Sequence, residues 1–329
     1  MRSRHRTLAS QILSVSFAFF SFFPPSALAQ TKRIESNADI NQIGHRNVGG
    51  GPNLYSLERE ATLGKQLDQE VHRSSKIIEG AIFTEYVNGL GQKLALNSDA
   101  RFPITVRLID SDVIDGFTLP GGYIYLNKGL ILHTETEAEL ASVLAYCIAS
   151  AALRVGTRIA TKGEMMQLAV IPLTLLGPYG WGGPGIYEAS NLTIPVTYFK
   201  LQRDFAVASD YFGLQYLYKS GYDPESMLRF LERVWPLTPA GSGNIPKVFS
   251  SFPPLDDRLK AMRAEIQKIL PSRDTTTVSN SEFEAVKEYL RAWSPPRSKD
   301  ADSTKPILRK PSSKSSKFSS IFGTFHQIR

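Results

Sequence analysis

The chain has 329 residues, of which 42% are hydrophobic and 21% charged, and its formal net charge is +7. The positive charge lies at the two ends: residues 1–29 carry +3 and residues 297–329 carry +6, which leaves the body between them at −2. A nearly neutral body argues against a nucleic-acid-binding surface, and a single cysteine, Cys147, excludes a disulfide framework within the chain.

The first predicted element is an export signal at residues 1–29. Three arginines precede an apolar stretch at residues 12–23, and residues 27–29 provide a small-x-small cleavage site. The apolar stretch is shorter than the roughly 20 residues that a membrane-spanning helix needs, and two prolines follow it. These features predict a protein exported to the periplasm or cell envelope.

The elements predicted after the signal combine many helices with few strands, which is an α+β class. Helical periodicity, capping residues and two-residue alternation predict the elements in chain order. The first half of the main domain is predicted to contain a helix capped by Ser56 and ending near Ser74, a helix from Ala81 to Leu96, a strand from Ile104 to Ile109, and a Pro-Gly-Gly turn that leads into a strand ending at Leu126. These are followed by a short helical segment from Lys128 to His133, a helix opened by a capping box at Thr136 and ending near Arg154, a loop from Pro178 to Pro195, and helices from Phe199 to Lys219, Pro224 to Val234, Leu255 to Ile269 and Ser281 to Trp293.

The predicted organisation has five parts: a signal peptide (1–29), a polar, glycine-rich linker (30–55), a main domain (56–270), a C-terminal helical extension (271–296) and a basic tail (297–329). The tail is rich in Ser, Lys and Pro, which is typical of disorder. Its basic residues are followed by Phe318, Ile321, Phe322 and Phe325, so a peripheral contact with an anionic membrane surface stays open as an alternative to a solvated tail.

Four motifs in the main domain resemble those of exported HExxH zinc metallopeptidases of the CAAX prenyl protease, HtpX and BepA-like family. They are the segment around the Pro-Gly-Gly turn (117–131), the helix at 137–150, the segment 206–224 that ends in Gly-Tyr-Asp-Pro, and the Pro-Pro segment with its arginine (249–258). The resemblance covers residues 56–270. It implies a zincin-like fold, mainly helical, in which an edge strand of a small sheet borders the active-site groove.

In that family two histidines four residues apart lie on one helical face and hold zinc, and the glutamate between them is the general base. The resemblance places Tyr146 and Ser150 at the two histidine positions, Cys147 at the base position and Ala206 at the position of the third ligand, a glutamate. Phenol, thiol and hydroxyl groups are weak zinc ligands unless they lose their proton. The metal site is therefore expected to be lost.

Two further family positions complete this comparison. Phe252 stands where a histidine often precedes the Pro-Pro pair, whereas the aspartate that supports the family's site is retained as Asp210. Asp210 is interpreted as a helix-surface or core-bonded carboxylate rather than a ligand.

Other residues offer little replacement chemistry. The histidines beyond the signal are His45 in the linker, His72 at a polar helix end, His133 and His326 in the tail, and His133 has a potential partner, Glu137, four residues later. A solvated helix entrance is favoured over a metal pair there. Cys147 lies in the middle of an apolar helix, where a free cysteine usually behaves as a small hydrophobic residue rather than as a nucleophile.

The resemblance thus implies a catalytically inactive, peptidase-like envelope protein without a cofactor, whereas active members hold zinc. Its expected partners are polypeptide clients or envelope assembly proteins, which would add as a β-strand to the segment formed by Gly121, Gly122, Tyr123, Ile124 and Tyr125. A purely structural role of that strand stays open. The alternative function is an active zinc metalloendopeptidase that degrades misfolded envelope proteins with non-standard ligands.

Overall fold

The computed structural model of the protein describes residues 39–164, 184–238, 253–270 and 281–293, with backbone alone for residues 184–199 and 269. The predicted export signal, the basic tail and Phe252 lie outside these residues. From Ile40 onward the described residues belong to one structural unit.

The described residues form nine helices and three strands, together with short 3-10 turns. The helices are α1 (Leu57–Ser74), α2 (Ala81–Leu96), α3 (Lys128–Leu132), α4 (Glu137–Ala152), α5 (Val155–Glu164), α6 (Pro184–Lys219), α7 (Glu225–Val234), α8 (Leu255–Ile269) and α9 (Ser281–Ala292), and the strands are β1 (Thr105–Ile109), β2 (Gly116–Leu119) and β3 (Tyr123–Asn127). The mainly helical α+β prediction is confirmed.

Local capping chemistry explains why the helix starts were predictable. The Ser56 hydroxyl accepts a hydrogen bond from the Arg59 amide at 3.2 Å, and the Thr136 hydroxyl accepts one from the Glu139 amide at 3.2 Å. The Glu139 carboxylate accepts from the Glu135 amide at 2.7 Å, one residue before the cap. The Arg59 and Glu139 amides belong to the first helical turn, where no carbonyl four residues earlier is available within the helix, and the Glu135 amide directly precedes the cap.

The predicted loop from Pro178 to Pro195 is wrong over residues 184–195, which form the first turns of α6. Pro184 occupies the first helical position, where proline is favoured because its missing N–H would have no partner. Between Gly185 and Pro195 there is no further glycine or proline, so the loop prediction gave too much weight to the glycines before the helix.

The sheet has the strand order β1-β3-β2, with β3 parallel to β1 and antiparallel to β2. The predicted peptide-binding edge strand is therefore wrong, because β3 is the central strand and both of its sides are paired. Tyr125 is 0% exposed, and Gly121 and Gly122 lie in the preceding turn with φ values of 77° and 89°. An aromatic, β-rich sequence does not distinguish a central strand from an edge strand.

The outer side of β1 is closed by local contacts. The Asn88 side chain accepts from the Val106 amide at 2.9 Å and donates to the Val106 carbonyl at 3.1 Å, as a neighbouring strand would. Farther along, the Ile78 amide donates to the Leu108 carbonyl at 2.9 Å. Among the described strands, β2 is thus the one with an unpaired side.

The predicted linker is wrong from residue 40 onward, because this segment packs into the domain. Arg46 is 5% exposed, and its guanidinium donates twice to Asp99 Oδ2, from Nη2 at 2.6 Å and from Nε at 3.0 Å, while its backbone amide donates to Asp99 Oδ1 at 3.3 Å. Its Nη1 donates to Gln215 Oε1 at 2.7 Å. The linker prediction took polar composition as a sign of solvent exposure. Arg46 is instead buried, because its hydrogen-bond partners lie far away in the sequence and inside the fold.

Helix α4 runs through the centre of the fold, with 13 of its 16 residues buried. It packs against α6, α2, α7 and β2. By length and apolar composition, no single helix of the described chain could cross a bilayer; α4 and α5, bent by 42° at their junction, meet those two criteria only when taken together.

The C-terminal helix α9 belongs to the same packed unit. Phe283, Val286 and Leu290 are at most 1% exposed, and the Lys287 ammonium donates to the Thr134 carbonyl at the entrance to α4. The predicted helix at this position is confirmed.

Candidate functional site

Helices α4 and α6 bring the predicted site residues together. A Cβ on Gly213 would lie 3.2 Å from the Tyr146 Cα, and the Ser150 and Ser209 hydroxyl oxygens are 2.9 Å apart. The two helices therefore run antiparallel along one close seam, and Ala206 follows one turn beyond Ser209 on the same face. We call Tyr146, Cys147, Ser150, Ala206 and Asp210 the site cluster.

Tyr146 and Cys147 keep their protons at neutral pH. Burial raises the pKa of the Tyr146 phenol, although the Arg258 guanidinium opposes this shift. Burial also raises the pKa of the Cys147 thiol to about 12, against a weaker opposing effect of Thr118. A protonated phenol and a protonated thiol are poor metal ligands, and a protonated thiol cannot act as a general base.

The remaining two ligand positions, Ser150 and Ala206, provide no better metal-binding groups. Ser150 shares its hydroxyl with Ser209, and Ala206 has no donor atom and is 4% exposed. A catalytic zinc ion needs three protein ligands drawn from imidazole, carboxylate and thiolate groups. The side chains at these positions therefore do not fit zinc.

The retained carboxylate, Asp210, is committed to an ion pair. Arg258 Nε lies 2.8 Å from Asp210 Oδ2, Arg258 Nη2 lies 2.6 Å from Asp210 Oδ1, and both side chains are at most 5% exposed. The guanidinium also lies 5.9 Å from the Tyr146 ring centroid and 5.6 Å from that of Trp235. The interpretation of Asp210 as a core-bonded carboxylate is the one that agrees with this geometry.

Sequence reasoning missed this pairing, although the signal was present. Asp210 and Arg258 both belong to motifs that matched the family pattern, and both are charged, whereas Tyr146, Ser150 and Ala206 at the expected ligand positions are not. Two retained opposite charges in the same set of motifs could have been predicted to pair.

The weaker metal candidate, His133 with Glu137, does not form a site. His133 is exposed, with Nδ1 2.7 Å from the Gly129 carbonyl oxygen. Glu137 is 3% exposed and accepts hydroxyl hydrogen bonds from Tyr86 at 2.8 Å and Tyr222 at 2.6 Å. Within the described ranges, no three His, Cys, Asp or Glu side chains are grouped so that they could hold a metal ion.

Strand β2 lies beside the site cluster and turns its unpaired side outward. The Thr118 hydroxyl donates to the Cys147 carbonyl at 3.3 Å, which ties β2 to α4. The Asn127 amide donates to the Asp115 carbonyl at 3.0 Å, so this pair is hydrogen-bonded across the two strands. In an antiparallel pair every second residue is hydrogen-bonded to its partner. The N–H and C=O of Phe117 therefore point toward β3, and those of Thr118 point away from it. Thr118 is half-buried, and its backbone groups face the open side of the sheet.

Comparison with known proteins identifies the family. Residues 83–266 match the model of peptidase family M48. A β-barrel assembly-enhancing protease of Yersinia pestis is 28% identical over 259 residues, covering 75% of this chain and 51% of that protein. The corresponding protease of Escherichia coli K12 is 26% identical over 227 residues, covering 66% and 45%. The chain thus spans about half the length of these curated relatives.

A more distant similarity, to a mitochondrial metalloendopeptidase of Arabidopsis thaliana, has 28% identity over 122 residues and covers 36% of this chain and 23% of that protein. The family match covers more than half of the sequence and includes α4, α6 and most of α8, the helices that carry the site cluster and Arg258. The chain belongs to peptidase family M48.

Proposed function

We propose that this chain is a catalytically inactive member of family M48 that binds extended polypeptides without cleaving them. The observation that carries the proposal is the chemistry of the site cluster, where a phenol, a buried thiol, a hydroxyl and a methyl group occupy the positions of three ligands and a base. Metal-assisted peptide hydrolysis needs a cation that polarises the carbonyl and a base that takes a proton from water. These side chains supply neither function.

Strand β2 supports the binding part of the proposal. Its open side presents the Thr118 N–H and C=O next to α4, and a polypeptide in extended conformation could pair with them. Strand addition derives its affinity from main-chain hydrogen bonds and needs no metal. Loss of the ligands would therefore remove cleavage and leave binding intact.

The relatives suggest the class of client. Two of them carry a name that joins β-barrel assembly with protease activity. Unassembled strands of envelope β-barrel proteins expose unpaired backbone N–H and C=O groups, which β2 could pair. Together with the predicted export signal, this supports a chaperone or assembly role in the periplasm or cell envelope.

A restored variant tests the loss of catalysis. Tyr146→His, Cys147→Glu, Ser150→His and Ala206→Glu together would return three ligands and a base to the positions that the family uses. We expect chelator-sensitive cleavage of casein by this variant and none by the parent protein. Cleavage of casein by the parent, abolished by chelator, would instead support the alternative of an active endopeptidase with non-standard ligands.

A second pair of variants tests the binding edge. Thr118→Pro removes the outward N–H, which an edge strand tolerates, whereas Thr118→Val keeps the N–H and removes only the hydroxyl. We expect a fluorescein-labelled peptide of about ten alternating valine and threonine residues to bind the parent and the valine variant, and to bind the proline variant weakly. Equal binding to all three proteins would exclude β2 as the docking edge.

A further inference from the structure

The junction between α4 and α5 has an unusual backbone. Among the described residues, Arg154 is the one non-glycine residue with positive φ, at 55°, and it lies between helices whose axes are bent by 42°. A left-handed conformation is unfavourable for a residue with a side chain and persists where surrounding contacts fix it. The contacts that fix Arg154 therefore determine the angle between α4 and α5.

Those contacts come from the start of α1. Glu60 is 2% exposed, and its Oε2 accepts from Arg154 Nε at 2.6 Å and from the Thr157 hydroxyl at 3.0 Å. Arg154 Nη2 donates to the Tyr55 carbonyl at 2.6 Å. A buried carboxylate thus holds both the junction residue and the first turn of α5.

The segment before α1 continues this attachment along α5. We call residues 53–55 the strap. Each strap residue donates one hydrogen bond to a polar side chain on a single face of α5: Asn53 Nδ2 to Thr157 Oγ1 at 2.9 Å, Leu54 N to Thr161 Oγ1 at 2.9 Å, and Tyr55 Oη to Glu164 Oε1 at 2.6 Å. The strap follows α5 over its whole described length.

Helix α5 contacts the residue that follows β2 and a residue adjacent to the site cluster. A Cβ on Gly156 would lie 3.3 Å from the ring of Pro120, which directly follows the last residue of β2. The Arg158 guanidinium lies 4.7 Å from the ring centroid of Phe205, the residue before Ala206. The position of α5 therefore sets how much space is open at this end of β2.

We propose that α5 is a gate for extended polypeptides at β2, and that Glu60 and the strap form the latch that holds it closed. Release of the latch lets Arg154 leave its unfavourable φ, so the strained junction favours opening once the polar contacts are lost. The role in polypeptide access rests on the proposed function, whereas the latch itself is a property of the fold.

Hydrogen exchange tests the latch independently of any ligand. In Glu60→Gln we expect the amides of residues 155–164 to exchange at least about tenfold faster than in the parent, since a buried charged hydrogen bond is weakened, while α2 exchanges at the parent rate. Glu70→Gln, an exposed change on the same helix, is the matched control. Exchange in α5 equal to that control, or faster exchange in α2 and α5 alike, would overturn the latch.

Thr161→Val provides a second variant that removes a strap bond without disturbing a buried charge. We expect faster exchange confined to residues 155–164, and parent-like exchange there would contradict the role of the strap.

Binding of the valine–threonine peptide then separates the two proposals. We expect Glu60→Gln to bind it with a faster association rate than Glu70→Gln. Faster exchange in α5 with equal association rates would overturn the gate. If the peptide bound none of the proteins while α5 exchanged faster, the proposed function would fail and the latch would stand, but α5 would no longer be a gate for polypeptides.

Discussion

The two ends of α4 differ in the buried polar side chains that they carry. At its N-terminal end Glu137 accepts two tyrosine hydroxyls, and Glu139 is paired with Arg233 at 2.9 Å. Farther along, Tyr146, Cys147 and Ser150 carry no ionised group at neutral pH. A buried charge is tolerated where protein groups satisfy it, and it is costly where no partner of opposite charge lies beside it. The site cluster therefore has the composition of a protein core.

The largest expected effect comes from breaking the one ion pair retained at the site cluster. Arg258→Met leaves the Asp210 carboxylate buried without its cation, which should lower the free energy of unfolding by about 3–5 kcal/mol. Arg263→Met, on the same helix but in an exposed pair with Glu232, should cost no more than about 1 kcal/mol. Urea unfolding of both variants measures the difference. Equal costs would show that the buried pair is not a requirement of the fold.

The second prediction concerns the buried carboxylate at the N-terminal end of α4. Glu137→Ala leaves the Tyr86 and Tyr222 hydroxyls without their acceptor and should cost about 2–3 kcal/mol in urea unfolding. Glu135→Ala removes an exposed carboxylate two residues earlier and should cost at most about 1 kcal/mol. A small effect of Glu137→Ala would mean that water replaces the carboxylate and that this end is less closed than its burial indicates.

A third prediction concerns a buried carboxylate whose hydrogen-bond partner is an amide. Glu265 accepts from Gln215 Nε2 at 3.1 Å, and burial raises its pKa to about 7. Because the folded state holds this proton more tightly than the unfolded state, the contribution of Glu265 to stability decreases as the pH rises from about 4.5 through 7. Glu265→Gln should therefore stabilise the protein at pH 8.5, by about 1 kcal/mol after allowance for solvent screening, and have little effect at pH 4.

Thermal unfolding of the parent and the Glu265→Gln variant at both pH values checks this sign. A benefit at pH 4 that disappears at pH 8.5 would contradict the raised pKa. The result would also distinguish buried carboxylates that have a cationic partner from one whose pKa is raised by burial.

The smallest expected effect is at the seam between α4 and α6. Ser150→Ala removes one partner of the hydroxyl pair and should cost about 1 kcal/mol. In a double-mutant cycle with Ser209→Ala, the two costs should be less than additive because both changes remove the same bond. Strict additivity would show that the two hydroxyls do not interact.

The parts of the fold that sequence could predict are those fixed by neighbours in the chain. The caps at Ser56 and Thr136 act within four residues, so the starts of α1 and α4 follow from local patterns. The position of β3 within the sheet depends instead on pairing with β1 and β2, and its aromatic side chains suit a central strand as well as an edge. Motif positions similarly located Tyr146 and Ser150, but nothing local revealed that Ser150 would meet Ser209.

Long-range polar partnerships were also beyond local reasoning. The pair of Arg46 with Asp99 joins residues 53 positions apart, and that of Arg258 with Asp210 joins residues 48 apart. In both cases the sequence shows a charge but not whether a partner lies beside it in the fold. Burial of such groups becomes predictable only when the fold places the opposite charge within hydrogen-bond distance.

We expect that the site cluster holds no zinc and activates no water. The decisive experiment is equilibrium dialysis of the parent protein against zinc, followed by metal analysis and a casein assay on the same sample. We expect no stoichiometric zinc and no cleavage. The contradicting result would be one bound zinc ion per chain together with cleavage, with both lost in Cys147→Ala or Tyr146→Phe.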